Sequence, residues 1–421
     1  MKSSSLLHTL AGVCVNLLRF VLAATFILSG FVKAVDPLGT VYKLGDYAEA
    51  FEWGTALPAH GVLMLMAMGL CLFEFVMGIC ILFAIWRRTA LTAAVAFLSV
   101  MTPLTFYLAL ANPVADCGCF GDAIVLTNWQ TFWKNVVLLT MAIIVLINHE
   151  RMVRLIHRNA QWIIGAFAIV SICLFMQSNL RHLPLFDFRP YRVGTDFEQA
   201  MAIPDDAKQP RYTTFFTLTK DGETREFSLD DYPDSTWTFV SSRTVLEEKG
   251  YEPPIHDFAL IDADGDDITS NLFDPGWSFL LVMNKLQYED MLDIINDLYD
   301  YAAIHDCPFY ALTSATNDDI ERWRTNTGAG YDFFTADDIT LKTIVRSNPG
   351  LLLVKDGTIV GKWSKHDIPR DIDFSLAPEQ QEWVTHYDMQ HERRMSRTLF
   401  IMIFPYVFIA LLDYLIRRKK Y

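Results

Sequence analysis

Cysteines and charged residues are scarce in this sequence. Its 421 residues include only seven cysteines, and 20% of the side chains are charged. So few cysteines exclude a small disulfide-rich scaffold, and a net charge of −14 excludes a nucleic-acid-binding protein, which needs a basic surface. Disorder is excluded because 13% of the residues are aromatic. The sequence also lacks a phosphate-binding glycine loop and a nucleophile–base motif.

Apolar and acidic residues are separated along the chain. The mean hydropathy is +0.22, although the chain carries 49 acidic and 35 basic residues. Residues 180–396 contain 40 acidic and 20 basic side chains, whereas the rest of the chain contains 9 acidic and 15 basic ones. This distribution predicts a mildly basic membrane unit joined to an acidic soluble domain.

Six apolar segments each have roughly the 20 residues that a helix needs to cross a bilayer. They are residues 14–35, 60–85, 90–111, 130–148, 160–178 and 398–416. The first contains Arg19 and has no clear small-residue cleavage site, so we interpret it as a retained span and not as a signal peptide. The sequence therefore predicts an all-α membrane bundle of six transmembrane helices.

Basic residues mark one side of the predicted bundle. They follow the second, fourth and sixth spans and comprise Arg87, Arg88, Arg151, Arg154, Arg158, Arg417, Arg418, Lys419 and Lys420. By contrast, residues 36–59 have one lysine against four acidic residues, and residues 112–129 have no basic residue. Because Lys and Arg concentrate in cytoplasmic loops, both termini are predicted to be cytoplasmic. Residues 180–396 are then expected on the extracytoplasmic side of the inner membrane.

The soluble part contains strand and helix patterns in alternation. Residues 211–227 alternate around Lys220-Asp221-Gly222-Glu223, which predicts a β-hairpin. Further strands are predicted at 277–285, 308–313, 350–355 and 358–363, with helices at 288–304 and 317–326. A strand–helix–strand unit followed by a terminal hairpin predicts a mixed α/β sheet.

The motif Asp116-Cys117-Gly118-Cys119-Phe120-Gly121-Asp122 lies in the predicted outer loop between the third and fourth spans. The single glycine lets the two thiols form a tight, readily reduced disulfide on the side where disulfides persist. The flanking aspartates are expected to raise the pKa values of both thiols. Redox exchange, a structural disulfide and half of a metal site are the open interpretations. No further Cys or His ligand lies nearby in the sequence, so we predict no metal and take Cys117 and Cys119 as the catalytic candidates.

Two charged residues interrupt the predicted spans. Glu74 lies within the second span and Arg19 within the first, and ionisable groups at that depth usually pair or serve a pathway. The reach of an arginine side chain allows an Arg19–Glu74 pair. A structural ion pair and a role for Glu74 in thiol exchange are both open. The other cysteines, Cys14, Cys71, Cys80, Cys173 and Cys307, are interpreted as packing residues.

Residues 10–150 resemble known membrane families. The segment Cys117-Gly118-Cys119-Phe120-Gly121-Asp122 between two spans resembles the MauE family of methylamine-utilisation proteins. Residues that resemble the related DoxX family are Arg19, Ser29-Gly30, Lys33, Asp36-Pro37, Glu74 and Gly78. The resemblance implies a four-helix domain active in thiol–disulfide exchange, or a quinone-linked role. Residues 160–178 would then add a fifth helix, and residues 398–416 a C-terminal one.

Residues 255–370 resemble thioredoxin-like proteins of the TlpA and AhpC type. Asn348-Pro349 resembles the site at which that fold places a cis-proline before a β-hairpin. Where the family carries Cys-x-x-Cys, this chain has Asn284-Lys285-Leu286-Gln287, so the usual dithiol is missing. The groove beside Pro349 could still dock a peptide or a redox partner. With residues 180–254 as a β-rich linker, the whole arrangement resembles Bacteroidetes-type DoxX-family proteins.

The residues support two functional hypotheses. In the first, Cys117 and Cys119 exchange disulfides with an extracytoplasmic thioredoxin-like or disulfide-containing protein, assisted by Glu74 and by docking near Pro349. In the second, the chain is a non-catalytic membrane scaffold whose loop disulfide is structural. Membrane lipid is a further expected partner. No cofactor is evident from the sequence, although the family resemblance allows a quinone, and whether the chain is an oxidoreductase subunit stays open.

Overall fold

The computed structural model describes residues 2–51, 60–114, 116–209, 211–220, 222–229, 231–248, 250–287 and 291–418. Its helices are α1 (Lys2–Val35), α2 (Pro37–Ala50), α3 (His60–Phe83), α4 (Arg87–Ala111), α5 (Asn128–Ile147), α6 (Gln161–Arg181), α7 (Phe197–Met201), α8 (Leu292–Ile304), α9 (Asn317–Thr327), α10 (Asp338–Ile344), α11 (Glu382–Thr385) and α12 (Tyr387–Arg418). Its strands are β1 (Arg211–Lys220), β2 (Glu223–Ser228), β3 (Thr238–Glu248), β4 (Trp277–Val282), β5 (Phe309–Thr313), β6 (Asp332–Thr335), β7 (Gly350–Lys355) and β8 (Thr358–Ser364). Among these residues, six helices (α1, α3, α4, α5, α6 and α12) are long and apolar enough to cross a membrane, which confirms the predicted six-helix unit.

Helices α1 and α3 pack with their backbones in close contact. A Cβ atom on Gly30 would lie 2.5 Å from Phe75 N, and one on Gly78 would lie 2.7 Å from Ile27 N. A larger residue at either position would push the helices apart, so the two glycines permit the approach. This packing brings the C-terminal turns of α1 against the middle of α3, where the candidate site lies.

The two ends of the bundle carry different contacts. At one end, Arg19 Nη1 donates to Val153 O over 2.6 Å, and the backbone N–H of His157 donates to Asp413 Oδ2 over 3.0 Å. At the other end, Arg346 of the soluble domain is ion-paired with Asp36 at the end of α1. The basic segments that follow the fourth and sixth spans therefore lie at one end of the bundle. The acidic soluble domain lies at the other end, which is the arrangement that the charge pattern predicts.

The β-rich linker forms a three-stranded antiparallel sheet in the order β2-β1-β3. Strands β1 and β2 pair with Lys220 opposite Glu223, which confirms the predicted hairpin. Asp221 of that predicted turn lies outside the described residues.

The second sheet has five strands in the order β6-β5-β4-β7-β8. Strands β4, β5 and β6 are parallel, β7 runs antiparallel to β4, and β8 runs antiparallel to β7. The helices cover both faces, so successive residues of β4 such as Leu280 and Leu281 are both fully buried on opposite sides. A cis peptide bond joins Asn348 to Pro349 just before β7. This strand order, with the cis-proline before the hairpin, is the predicted thioredoxin-like α/β fold.

Several elements differ from their predicted form. Strand β6 and helix α10 were not predicted, because β6 has only four residues with two exposed ends and α10 only seven residues. Helix α8 begins at Leu292, and residues 288–290 of its predicted start lie outside the described residues. Helix α12 begins at Tyr387 and not at 398, since its first turns are polar and extend the helix beyond the apolar span.

Candidate functional site

The side chains of Cys117 and Cys119 meet at a tight turn between α4 and α5. Their sulfur atoms lie 3.2 Å apart as an unbonded thiol pair. Gly118 between them has a φ of +65°, and a Cβ atom on it would approach Lys43 Cγ to 2.8 Å. Glycine tolerates both the positive φ and the close approach, so it is the residue that this spacer requires.

A buried ion pair lies on the membrane side of this turn. Lys33 Nζ of α1 is 2.7 Å from Glu74 Oε2 of α3, and each side chain is 6% exposed. Lys33 Nζ also donates to Cys119 O over 2.6 Å. Ser29 Oγ lies 2.8 Å from Glu74 Oε2 and 2.7 Å from Cys119 O. The two charges therefore compensate each other at a depth where ionisable groups are costly, and they hold the backbone of Cys119.

Arg19 is not the partner of Glu74. Its guanidinium donates to Val153 O and lies 4.5 Å from the centroid of the Phe20 ring. The Arg19–Glu74 pair that the sequence allowed is therefore not formed, because Lys33 reaches Glu74 from the end of α1 that faces the cysteines. Arg19 contributes instead to the contacts at the opposite end of the bundle.

Helix α2 holds the outer side of the cysteine turn. Lys43 Nζ is 3.0 Å from Asp116 Oδ2, and Asp116 Oδ1 accepts the backbone N–H of Gly118 over 2.7 Å. The hydroxyl of Tyr47 donates to Cys117 O over 3.0 Å. The turn is thus fixed from the membrane side by α1 and from the outer side by α2.

The surroundings shift the pKa values of the two thiols in opposite directions. The hydrogen bond from the Cys117 thiol, together with the charges of Lys134 and Lys33, lowers the pKa of Cys119 to about 6, although burial opposes the shift. The same hydrogen bond and burial raise the pKa of Cys117, which is 8% exposed. The two opposite shifts favour the thiolate at Cys119 and the protonated thiol at Cys117.

This result corrects the expectation that the flanking aspartates raise both thiol pKa values. For Cys119 the expectation is wrong, since a cation lies beside each aspartate. Asp116 pairs with Lys43, and Asp122 Oδ2 lies 3.6 Å from Arg346 Nη2. For Cys117 the direction agrees, but the causes are Cys119 and burial rather than the aspartates.

A cavity of about 1210 Å³ adjoins the cysteine turn. Apolar side chains of α3 and α4 line its membrane side: Leu63, Met66, Leu70, Met101 and Leu104. Its polar side includes Lys33, Glu74 and Cys119. The lining residue Val125 is 69% exposed, so the cavity reaches the protein surface. A ligand or a segment of a partner protein has room to reach Cys119 from this side.

The degenerate thioredoxin-like site faces the chain's own membrane unit. Pro349 is buried, and Asn348 Nδ2 donates to Lys285 O over 3.0 Å. Asn284 and Asn348 line a cavity of about 210 Å³ whose opposite wall includes Leu38 and Tyr42 of the α2 region. The groove next to Pro349 is thus bordered by this chain itself.

Comparisons with known proteins describe the two halves separately. Solved structures with some similarity to the chain include the thioredoxin domain of a thiol-disulfide oxidoreductase from Bacteroides vulgatus, at 14% identity and a TM-score of 0.22, covering 25% of this chain and 81% of that one. Another is the exposed lipoprotein thioredoxin of Streptococcus pneumoniae, at 17% identity and a TM-score of 0.21, covering 28% and 93%. A thiol peroxidase from Chromobacterium violaceum matches at 11% identity and a TM-score of 0.22, covering 33% and 86%. The fold assignment rests on the strand order given above. No curated protein sequence matches the chain.

The membrane half has a clearer relation, because its sequence matches a family model over all four of its first spans. Residues 11–148 match the methylamine utilisation protein MauE. Residues 212–249, which contain the three-stranded sheet, match a domain of unknown function. The MauE-like region therefore includes the cysteine turn, Lys33 and Glu74.

The remaining cysteines are not part of the turn. Cys71 and Cys80 are buried on α3 within the MauE-like region, and Cys71 lies close enough to Lys33 and Glu74 to interact with both charges. Cys14 and Cys173 lie in other spans, and Cys307 lies in the soluble domain. Burial raises the pKa of Cys307 to about 11, which keeps it protonated near neutral pH.

Sequence reasoning missed several residues of the site. Lys33 and Ser29 were noted only as points of family resemblance, and Lys43, Tyr47 and Arg346 were not noted at all. Asp36-Pro37 is a helix-start signal, with an N-cap side chain followed by proline, and it could have revealed α2. No local signal identifies Arg346, which meets Asp36 across 310 residues of sequence.

Proposed function

We propose that this chain is a membrane component of thiol–disulfide exchange in which Cys119 attacks and Cys117 resolves. The observation that carries the proposal is the 3.2 Å approach of two sulfur atoms with opposite pKa shifts. Exchange requires a thiolate nucleophile, and Cys119 with a pKa of about 6 supplies one near neutral pH. The MauE match of residues 11–148 supports the membrane setting.

The exchange has two steps. The Cys119 thiolate attacks one sulfur of a partner's disulfide, a mixed disulfide forms, and the partner's other sulfur leaves as a thiolate. Cys117 then gives its proton to the partner's free thiolate and attacks the Cys119 sulfur. The Cys117–Cys119 disulfide forms, the mixed disulfide breaks, and the partner's second sulfur leaves as a thiolate that takes a proton from solvent, so the partner is released as a dithiol that has gained two electrons. The reverse sequence, with a partner's dithiol as reductant, uses the same atoms.

The buried pair supports this chemistry in our proposal. Lys33 holds Cys119 O and places a positive charge near the thiolate, while Glu74 keeps Lys33 in position. Glu74 is therefore assigned an indirect role that depends on Lys33.

The partner we propose is a soluble thioredoxin-like or disulfide-containing protein on the extracytoplasmic side. We place both termini in the cytoplasm and residues 180–396 outside the inner membrane, because Lys and Arg concentrate at the opposite end of the bundle. We propose that the partner approaches through the cavity beside Cys119. Docking next to Pro349 stays a prediction, and it would require the soluble domain to separate from α2 on that side.

A quinone is the cofactor that we propose for the same cavity. The apolar lining by Leu63, Met66 and Leu70 suits a ring with an isoprenoid tail, and Lys33 and Tyr47 border the polar side. A bound quinone would supply a two-electron oxidant. Titration of the purified protein in detergent with a quinone is expected to quench the tryptophan fluorescence saturably. Leu70→Phe, which narrows the cavity and adds no tryptophan to the readout, is expected to weaken the binding about tenfold. Equal binding by both proteins would contradict this site.

Mixed-disulfide capture tests the exchange itself. The Cys117→Ser variant is expected to accumulate a mixed disulfide with a disulfide-containing partner, because Cys119 can attack but nothing resolves the product. The Cys119→Ser variant is expected to trap almost nothing, since Cys117 is buried and protonated. Non-reducing gels and mass spectrometry of membranes that contain the full chain provide the measurement, with Cys307→Ser as the control. Equal trapping by both single variants would contradict the assigned roles, and trapping by neither would contradict the exchange.

A non-catalytic scaffold is the second candidate function. The residues Asn284–Gln287 at the usual Cys-x-x-Cys position favour it, because the soluble domain has lost that dithiol. A scaffold predicts that reduction of a Cys117–Cys119 disulfide lowers the melting temperature while neither single variant traps a partner.

A further inference from the structure

Arg346, between α10 and Pro349, connects the soluble domain to the cysteine turn. Its Nε lies 2.8 Å from Asp36 Oδ2, and its Nη2 lies 3.6 Å from Asp122 Oδ2. The arginine side chain is 8% exposed, so this connection is shielded from solvent. Asp36 follows α1 and Asp122 ends the cysteine motif, so one guanidinium contacts both the end of helix α1 and the cysteine turn.

The guanidinium is held in place from several directions. Arg346 Nη1 donates to Lys342 O over 2.5 Å, and the guanidinium lies 5.2 Å from the centroid of the Tyr42 ring. Asp36 in turn accepts the backbone N–H of Gly39 and caps α2. Since α2 also carries Lys43 and Tyr47, which contact the cysteine turn, Arg346 acts on the helix that supports the turn as well as on the turn itself.

The charges around Cys119 indicate how Arg346 affects the thiolate. The charged and titratable groups that act on Cys119 are Cys117 on its own turn, Lys33 of α1, Tyr47 of α2, Glu74 of α3 and Lys134 of α5. Asp116 and Asp122 flank it in the same turn, where Lys43 compensates Asp116 and Arg346 compensates Asp122. Without Arg346, the carboxylate of Asp122 would be left without this cation on the turn that carries the thiolate, and like charge disfavours a thiolate.

We propose that Arg346 is a positioning residue for the exchange. Through it, the thioredoxin-like domain holds the Cys117–Cys119 turn and compensates the negative charge beside Cys119. The domain thus contributes to the chemistry of the membrane unit without a dithiol of its own. This inference rests on the exchange function proposed above.

The test compares Arg346→Gln with Arg324→Gln in the full chain. Arg324 is a matched control because it also makes ion pairs and lies 5.6 Å from an aromatic ring centroid, but within the soluble domain. Arg346→Gln is expected to raise the midpoint pH of Cys119 alkylation by about one unit, and therefore to slow exchange about tenfold at pH values below the parent's midpoint, where the thiolate fraction limits the rate. Arg324→Gln is expected to change neither. Site-resolved mass spectrometry gives the midpoint, and a role limited to holding the fold together would not move it.

A milder change keeps the test decisive if Arg346→Gln does not fold. Asp122→Asn removes the contact between the turn and Arg346 but retains the Arg346–Asp36 pair. It is expected to speed backbone hydrogen exchange of residues 117–121 at least about fivefold. Parent-like hydrogen exchange there, or a parent-like midpoint in Arg346→Gln, would overturn the inference. Both measurements are independent of any partner, so they remain decisive even if the parent exchanges no disulfide and the proposed function fails.

Discussion

The Cys119→Ser variant is expected to exchange disulfides about 1,000-fold more slowly than the parent or worse, because the reaction loses its nucleophile. A serine hydroxyl has the same place on the turn but is not ionised near neutral pH. Single-turnover exchange with a disulfide substrate in detergent provides the measurement. The Cys307→Ser variant is the matched control, since its thiol is protonated and belongs to the other domain.

The pH dependence of the parent has a definite sign. Because the pKa of Cys119 is about 6, the thiolate fraction and the exchange rate are expected to rise as the pH increases through 6 and to level off above it. Cys307, with a pKa of about 11, is expected to alkylate appreciably only at much higher pH. Alkylation of Cys119 and Cys307 over the same pH range would contradict the assignment of Cys119 as the nucleophile.

The membrane unit was largely predictable from local sequence. Spans are recognised by length and apolarity, and the side of each loop by its lysines and arginines, so neither requires knowledge of the packing. The thioredoxin-like sheet was also predictable in outline, since β4, β5, β7 and β8 have continuous apolar runs. Strand β6 was not predicted because its two buried residues, Phe333 and Phe334, lie between two exposed positions. A pattern this short cannot be distinguished from a loop.

The site was predictable only where its residues are close in sequence. Cys117 and Cys119 form a motif, and Glu74 is conspicuous within an apolar span. The partner of Glu74 depends on how α1 is rotated and on how closely Gly30 and Gly78 let α1 approach α3, which no local pattern specifies. The pKa values depend on the same packing, because Lys134 and Lys33 come from different helices.

The second large expected effect comes from breaking the buried Lys33–Glu74 ion pair. Lys33→Met is expected to lower the free energy of unfolding by about 3–5 kcal/mol, because it leaves the carboxylate of Glu74 buried without its cation. Glu74→Gln retains the volume and a hydrogen-bonding group, so we expect normal membrane insertion. Exchange is expected to slow about tenfold because the neutral amide holds Lys33 against Cys119 O less firmly, an effect that we expect to outweigh the loss of a negative charge that itself raises the pKa of Cys119. Denaturation in detergent and the exchange assay measure the two quantities. For comparison, Glu226→Gln breaks the exposed pair with Arg243 and is expected to leave the stability nearly unchanged, because solvent screens that pair.

The double variant Lys33→Met/Glu74→Leu separates stability from chemistry. Replacing both charges with apolar side chains of similar size removes the unpaired carboxylate, so most of the lost stability is expected to return. Exchange is expected to stay slow, because Cys119 O loses its contact with Lys33 and the thiolate loses a nearby positive charge. A double variant that exchanges as fast as the parent would show that the pair only joins α1 to α3. Slow exchange in a stable double variant would instead mean that Lys33 acts on Cys119 itself.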